Sequence, residues 1–146
     1  MPRPMSQREA DALLGKKKRG WMPVSSKEAR TVDGHTFRSL AEAKRYSQLR
    51  MLERYGQIRN LRFGKEVTRY DLADVKYTPD FEYERTTVWL PTKRKKGQSV
   101  DALQIWLPVV EEVKRRNCPA EVMRRFRRNQ KQMKRLHGID VELVRI

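Results

Sequence analysis

The chain has 146 residues, which is enough for one domain with a single hydrophobic core. Its 34 Lys and Arg residues exceed its 18 Asp and Glu residues, so the formal net charge is +16 and the expected partner is a polyanion rather than a small molecule. The composition excludes an intramolecular disulfide, since Cys118 is the only cysteine, and no apolar run approaches the roughly 18 residues of a membrane-spanning helix. We expect a cytoplasmic protein without a membrane partner.

Residues 1–30 are predicted to form a basic N-terminal arm outside the folded body. Its main feature is a cationic run between Gly15 and Gly20, which consists of Lys16, Lys17, Lys18 and Arg19. Such a run is usually a solvated segment, because it cannot bury a core. Its more specific use is to lie along the phosphates of a nucleic acid.

The folded body, residues 31–146, starts with a short strand or turn and continues into a helix from Ser39 to about Tyr55. Ser39 is a favourable N-cap residue, and Gly56 ends the helix. Apolar side chains recur along this helix at the spacing of one helical face: Leu40, Ala43, Tyr46, Leu49 and Leu52.

The rest of the body alternates between extended and helical patterns. We predict extended structure over residues 58–72 with a break at Gly64, strands over 75–83 and 103–114, a helix from Pro119 to about Leu136, and a final strand over 139–146. This order predicts an α/β or α+β fold in which helices flank a mixed central sheet. Candidate core side chains in these elements are Leu61, Phe63, Val67, Tyr70, Tyr77, Phe81, Tyr83, Val122, Phe126, Met133, Leu136, Val141 and Leu143.

Two of the predicted strands carry carboxylates among apolar residues. The first contains Asp80, which points away from Pro79 and Phe81, because side chains alternate along a strand. The second ends in Glu111-Glu112-Val113-Lys114, where only Glu112 lies on the same face as Lys114. Two carboxylates and a lysine that converge would supply oxygen ligands for Mg²⁺ and a cation beside a phosphate, as metal-dependent phosphodiester hydrolysis requires. The alternatives are a turn aspartate after Pro79 and an ordinary exposed charge pair on the second strand.

The order of these residues resembles the PD-(D/E)XK nuclease superfamily. Pro79-Asp80 corresponds to the PD of that pattern, and Glu112-Val113-Lys114 corresponds to the EXK. Residues 37–46, 56–58 and 77–81 are similar to a phage-encoded nuclease-like family and, more distantly, to the phage endonuclease I type of Holliday-junction resolvase. The resemblance covers roughly residues 31–146 and implies a restriction-endonuclease-like core, a homodimer and, for a phage-encoded protein, the host cell cytoplasm.

Transferred residue by residue, the resemblance implies a catalytic site. Asp80 and Glu112 are implied as metal ligands together with the main-chain carbonyl of Val113, and Lys114 is implied to lie beside the attacked phosphate. Glu42, on the first helix, is implied as a further ligand, and the implied cofactor is Mg²⁺, for which Mn²⁺ substitutes. Glu42 has an equally good alternative role, since Ser39-Leu40-Ala41-Glu42 fits a capping box.

The chain departs from the superfamily pattern in the spacing of its two motifs. Asp80 and Glu112 are 112 − 80 = 32 positions apart, whereas a short hairpin normally separates them. We interpret the extra length, residues 84–108, as a long β-hairpin insertion with a basic tip formed by Lys93, Arg94, Lys95 and Lys96.

The last predicted helix supplies the largest group of positive charges. Its Arg124, Arg127, Arg128 and Lys131 belong to a run with one acid, Glu121, so a phosphate partner explains the run better than a merely solvated face does. No helix-turn-helix or zinc-finger pattern predicts readout of base edges.

The leading hypothesis is a Mg²⁺-dependent endodeoxyribonuclease that acts as a homodimer on branched DNA such as Holliday junctions. One alternative is a non-catalytic DNA- or RNA-binding protein with a nuclease-like fold. A second alternative is a sequence-specific nuclease.

Overall fold

The computed structural model describes residues 25–89, 96 and 103–146. Within them eight strands occur: β1 Thr31–Val32, β2 His35–Thr36, β3 Ile58–Phe63, β4 Tyr70–Asp71, β5 Lys76–Tyr77, β6 Phe81–Trp89, β7 Leu103–Lys114 and β8 Val141–Arg145. The described residues also form two α-helices, α1 Leu40–Arg54 and α2 Ala120–His137, and two 3₁₀ turns, Glu28–Arg30 and Gly64–Glu66.

A mixed four-stranded sheet in the order β3-β6-β7-β8 is the centre of the fold. β3 pairs antiparallel with β6, and β6 pairs antiparallel with β7 over a long register from Phe81↔Glu111 to Trp89↔Leu103. β8 pairs parallel with the last part of β7, from Val110↔Val141 to Lys114↔Arg145. The β6–β7 hairpin therefore extends beyond both neighbouring strands, and its tip, including predicted Lys93, Arg94 and Lys95, lies outside the described residues.

The helix boundaries agree with the capping signals in the sequence. The Ser39 hydroxyl accepts a hydrogen bond from the Glu42 N–H and so caps the N-terminus of α1. Gly138 ends α2 in the left-handed conformation, with φ of 68°, which a glycine adopts at no steric cost. Among the described residues, neither helix is long and apolar enough to cross a membrane.

The two helices cover opposite faces of the sheet. The face under α1 buries Ala41, Ala43, Tyr46 and Leu49 of the helix against Phe81, Tyr83, Val109 and Val113 of the sheet. The face under α2 buries Phe126 and Met133 against Val110 and Val141, together with Leu72 and Tyr77. This arrangement confirms the predicted mixed sheet flanked by helices.

Two details differ from the sequence expectation. The predicted strand over 75–83 is interrupted at residues 78–80, so that Tyr77 packs under α2 whereas Phe81 and Tyr83 pack under α1. Leu136, predicted as a core residue, is 47% exposed, because it lies in the last turn of α2.

The segment before β1 is attached to the body. The Arg30 guanidinium, at the end of the predicted arm, donates hydrogen bonds to the Phe37 carbonyl at 2.8 Å and to the Arg38 carbonyl at 3.2 Å. These bonds fix the chain immediately before α1. Residues 1–24, including Lys16, Lys17, Lys18 and Arg19, lie outside the described residues.

Candidate active site

Asp80 lies in the short break between β5 and β6. Its main-chain N–H donates to the Glu111 carbonyl at 3.1 Å, and its Oδ2 accepts a hydrogen bond of 2.7 Å from the Val113 N–H. In a strand the N–H and the C=O of one residue point to the same side, so the Val113 carbonyl faces the Asp80 side of β7. The break thus holds the Asp80 carboxylate against the main chain of β7 at Val113.

Glu112 follows Glu111, the β7 residue that pairs with Phe81, and so lies on β7 beside the break that carries Asp80. Its Oε2 accepts a hydrogen bond of 2.7 Å from the buried Tyr77 hydroxyl, and its Oε1 is paired with the Lys114 ammonium. Glu112 and Lys114 are therefore neighbours on one face of β7, as their spacing predicts.

Glu111 points to the opposite face of β7 and has a different environment. Its carboxylate is fully buried and forms two hydrogen bonds of 2.7 Å with the Arg45 guanidinium. The Tyr83 hydroxyl donates a third hydrogen bond, of 2.8 Å. All of these contacts lie within the core under α1, so Glu111 has a structural role and links α1 to the sheet.

Glu42 makes the capping contacts of its own helix and also lies beside Asp80. Its Oε1 accepts a hydrogen bond of 3.0 Å from the Ser39 hydroxyl, and its Oε2 lies 3.4 Å from the Arg38 N–H, which are capping contacts. The same half-buried carboxylate also lines a groove with Asp80. Burial raises the pKa of Glu42, with a smaller contribution from the negative charge of Glu112, whereas Ser39 and Arg38 act to lower it.

The three carboxylates act on one another electrostatically. Burial, followed by the negative charges of Glu112 and Glu42, raises the pKa of Asp80 to about 8, although the Val113 N–H and Lys114 act in the opposite direction. Burial and the Glu112 carboxylate likewise raise the pKa of Tyr77, so its hydroxyl stays protonated and donates to Glu112.

The groove beside Asp80 has a volume of about 240 Å³. Half-buried Glu42 and Asp80 and buried Phe37 and Pro79 form its inner part. Its remaining lining consists of exposed residues, namely Thr36, Arg38, Gly64, Lys65 and Thr78. The groove thus has half-buried acidic residues inside and exposed cationic and hydroxyl-bearing residues at its rim, and Glu112 and Lys114 do not belong to its lining.

The geometry sets a limit on metal ligation. In the described part of the chain, no three His, Cys, Asp or Glu side chains are gathered closely enough to hold a metal ion. Each carboxylate is turned toward its own protein donor: Asp80 toward Val113, Glu112 toward Tyr77 and Lys114, and Glu42 toward Ser39. Their chemistry nevertheless fits Mg²⁺, which prefers carboxylate oxygens, because a divalent cation would neutralise the charges that raise the pKa of Asp80.

The predicted cationic helix carries its charges on the outside. Arg124, Arg125 and Arg128, with Glu121, surround a surface depression of about 400 Å³ at the start of α2. Arg127 and Lys131 are also exposed, and the Arg127 guanidinium donates to Gln130 at 2.9 Å. Of the predicted basic hairpin tip, Lys96 is described and is exposed.

Sequence reasoning missed three residues around the site. Arg45 lies four residues after Ala41 and four residues before Leu49, both of which are buried. The sequence spacing therefore places Arg45 on the buried face of the helix. Arg38 and Lys65 had no such signal, because the helix N-terminus and the Gly64 turn that carry them meet only in the folded chain. Tyr77 was predicted as a core residue, and its bond to Glu112 was not.

Comparison of the chain with protein-family models, with curated proteins and with solved structures gives no match. The resemblance to PD-(D/E)XK nucleases stays a prediction.

Proposed function

We propose that this protein is a Mg²⁺-dependent endodeoxyribonuclease that hydrolyses phosphodiester bonds in DNA. The observation that carries the proposal is the closeness of Asp80 to the Glu112-Val113-Lys114 segment: the Asp80 Oδ2 accepts a hydrogen bond of 2.7 Å from the Val113 N–H, and Glu112 is paired with Lys114. Carboxylates crowded in this way beside a lysine are expected at sites that bind a cation and perform acid and base chemistry.

Asp80, Glu112, Glu42 and the Val113 carbonyl would hold the ion. When bound, Mg²⁺ supplies a polarised water and neutralises charge on the phosphate oxygens. Lys114 contributes a positive charge beside Glu112, where it stabilises the negative charge of the attacked phosphate. Tyr77 keeps Glu112 oriented, because it donates to the oxygen that Lys114 does not contact.

DNA is the proposed substrate because of the formal net charge of +16 and the exposed cations of α2. These cations contact phosphates, which carry no sequence information, so they favour recognition of DNA shape over base sequence. We extend the proposal to branched DNA cut by a homodimer in the cytoplasm, since two cuts are needed to resolve a two-fold symmetric junction.

The test compares Glu112→Gln and Lys114→Ala with wild type for nicking of supercoiled DNA, with Mg²⁺, with Mn²⁺ and with EDTA. Both variants should lose turnover and keep their DNA affinity measured in EDTA. The matched control is Glu142→Gln on β8, whose carboxylate pairs with Arg85 at 2.5 Å away from the site. Undiminished nicking by Glu112→Gln would refute the assignment.

A second function has its own supporting observation. The exposed arginines around the depression on α2 would serve a nucleic-acid-binding protein without catalysis equally well, because binding phosphates requires only their charge. Such a protein would bind DNA with a salt dependence of about −0.9 per neutralised phosphate and would release no Mg²⁺-dependent product.

A further inference from the structure

The rim of the groove beside Asp80 carries two positive charges from separate parts of the fold. Arg38 immediately precedes the N-cap of α1, and Lys65 lies in the 3₁₀ turn that follows β3. Both line the groove that contains Glu42 and Asp80, and both are exposed. The groove therefore brings together cations that are 27 residues apart in the sequence, by the difference 65 − 38.

The backbone that carries Arg38 is held in place. The Arg30 guanidinium donates to the carbonyls of Phe37 and Arg38, and the Arg38 N–H faces the Glu42 carboxylate at 3.4 Å. On the other side, Gly64 begins the turn with φ of +62° and places no side chain in the groove.

The acidic residues that line the groove are less exposed than its cationic and hydroxyl-bearing residues. The two carboxylates are half-buried, whereas the two cations and the hydroxyls of Thr36 and Thr78 are exposed. An anionic ligand approaching from solvent meets donors and positive charge first and the carboxylates last. Guanidinium, ammonium and hydroxyl groups are the donors that bind phosphate oxygens in nucleic-acid complexes.

The size of the groove limits what enters it. Its volume of about 240 Å³ corresponds to the share of about eight waters in the liquid, at about 30 Å³ each. This space suits a phosphodiester linkage of one strand.

We propose that the groove receives the sugar-phosphate backbone of a single nucleic-acid strand, with Arg38 and Lys65 contacting phosphates at its rim. This inference rests on the proposed function, since it assigns the substrate class of a groove that shares Glu42 and Asp80 with the proposed catalytic site. It adds two substrate-positioning residues, Arg38 and Lys65.

The test measures binding of a labelled oligothymidylate in EDTA between about 50 and 200 mM salt. The double variant Arg38→Ala/Lys65→Ala should flatten the slope of log affinity against log salt by about 1.4, at about 0.7 per phosphate contact on a single strand. The matched control is Lys44→Ala/Arg54→Ala, which removes the same charges from exposed positions of α1 outside the groove lining. The charge-keeping variant Arg38→Lys/Lys65→Arg should retain the wild-type slope.

An equal change of slope in the groove variant and its control would overturn the inference, even if wild type cleaves DNA. A selective loss in the groove variant would support it even if wild type releases no product, and would then refute the proposed hydrolysis alone. Thermal unfolding midpoints of all variants, expected to match wild type because the substituted residues are exposed, show that each one folds.

Discussion

The Tyr77 hydroxyl donates a hydrogen bond of 2.7 Å to Oε2 of Glu112. The interrupted strand makes this contact possible, since it turns Tyr77 to the face of the sheet under α2, where Glu112 lies. A structural core residue therefore orients a carboxylate of the candidate active site.

Tyr77→Phe should lower Mg²⁺-dependent cleavage by about 10–100-fold, the usual effect of removing a group that orients a metal ligand. The matched control is Tyr70→Phe, whose hydroxyl donates to the Glu82 carboxylate at 2.8 Å outside the site. Each variant should lose about 1.5–3 kcal/mol of stability, because each leaves a carboxylate without one donor. Cleavage rates and urea unfolding of the two proteins separate the effects, and equal cleavage rates would contradict the orienting role of Tyr77.

Arg45→Met should destabilise the protein by about 3–5 kcal/mol, because the fully buried Glu111 loses its cationic partner. The double variant Arg45→Met/Glu111→Gln removes both charges and should recover much of that loss. Urea unfolding measures both. If the single and double variants unfold at the same urea concentration, the Arg45–Glu111 pair does not have the structural role assigned to it.

Asp80 should make the protein less stable as the pH rises. Its pKa is about 8 in the folded chain and has an ordinary value of 3.8, so the folded state binds the additional proton between these values. Its stabilising contribution is fully present below pH about 4 and is lost as the pH rises through about 8.

The variant Asp80→Asn lacks this titration and still offers an oxygen to the Val113 N–H. Its stability relative to wild type should therefore increase from pH 4 to pH 8, measured by urea unfolding in EDTA. Saturating Mg²⁺ should reduce this difference, because the ion binds the ionised carboxylate. A difference that does not change with pH would contradict the electrostatic crowding at Asp80.

Removal of a positive charge and removal of a negative charge at the depression on α2 should change DNA affinity in opposite directions. Arg128→Ala should weaken binding and flatten the salt slope by about 0.9 on duplex DNA, whereas Glu121→Gln at the same depression should strengthen binding. Fluorescence anisotropy at several salt concentrations measures both. Weaker binding by Glu121→Gln would show that DNA does not lie on this surface.

The sequence predicted those features that depend on local chemistry. Ser39 and Gly138 mark helix ends through capping groups, and the shared face of Glu112 and Lys114 on β7 follows from strand geometry. These features located α1, β7 and α2 to within one or two residues.

Features that depend on distant parts of the chain were not predictable. The break at residues 78–80 changes the face on which Tyr77 packs, and a period of two along the sequence does not reveal such a change. The groove formed by Arg38 and Lys65 likewise exists only because α1 and the Gly64 turn meet in the folded protein.

The most direct test of nuclease activity uses labelled four-way junction, linear duplex and single strand, each incubated with wild type and Asp80→Asn in Mg²⁺ or EDTA. Asp74→Asn, an exposed aspartate between β4 and β5, serves as the matched control. Wild type should produce paired, Mg²⁺-dependent nicks near the junction, which Asp80→Asn should abolish and Asp74→Asn should retain. DNA that is bound but uncut by wild type under every condition would contradict nuclease activity.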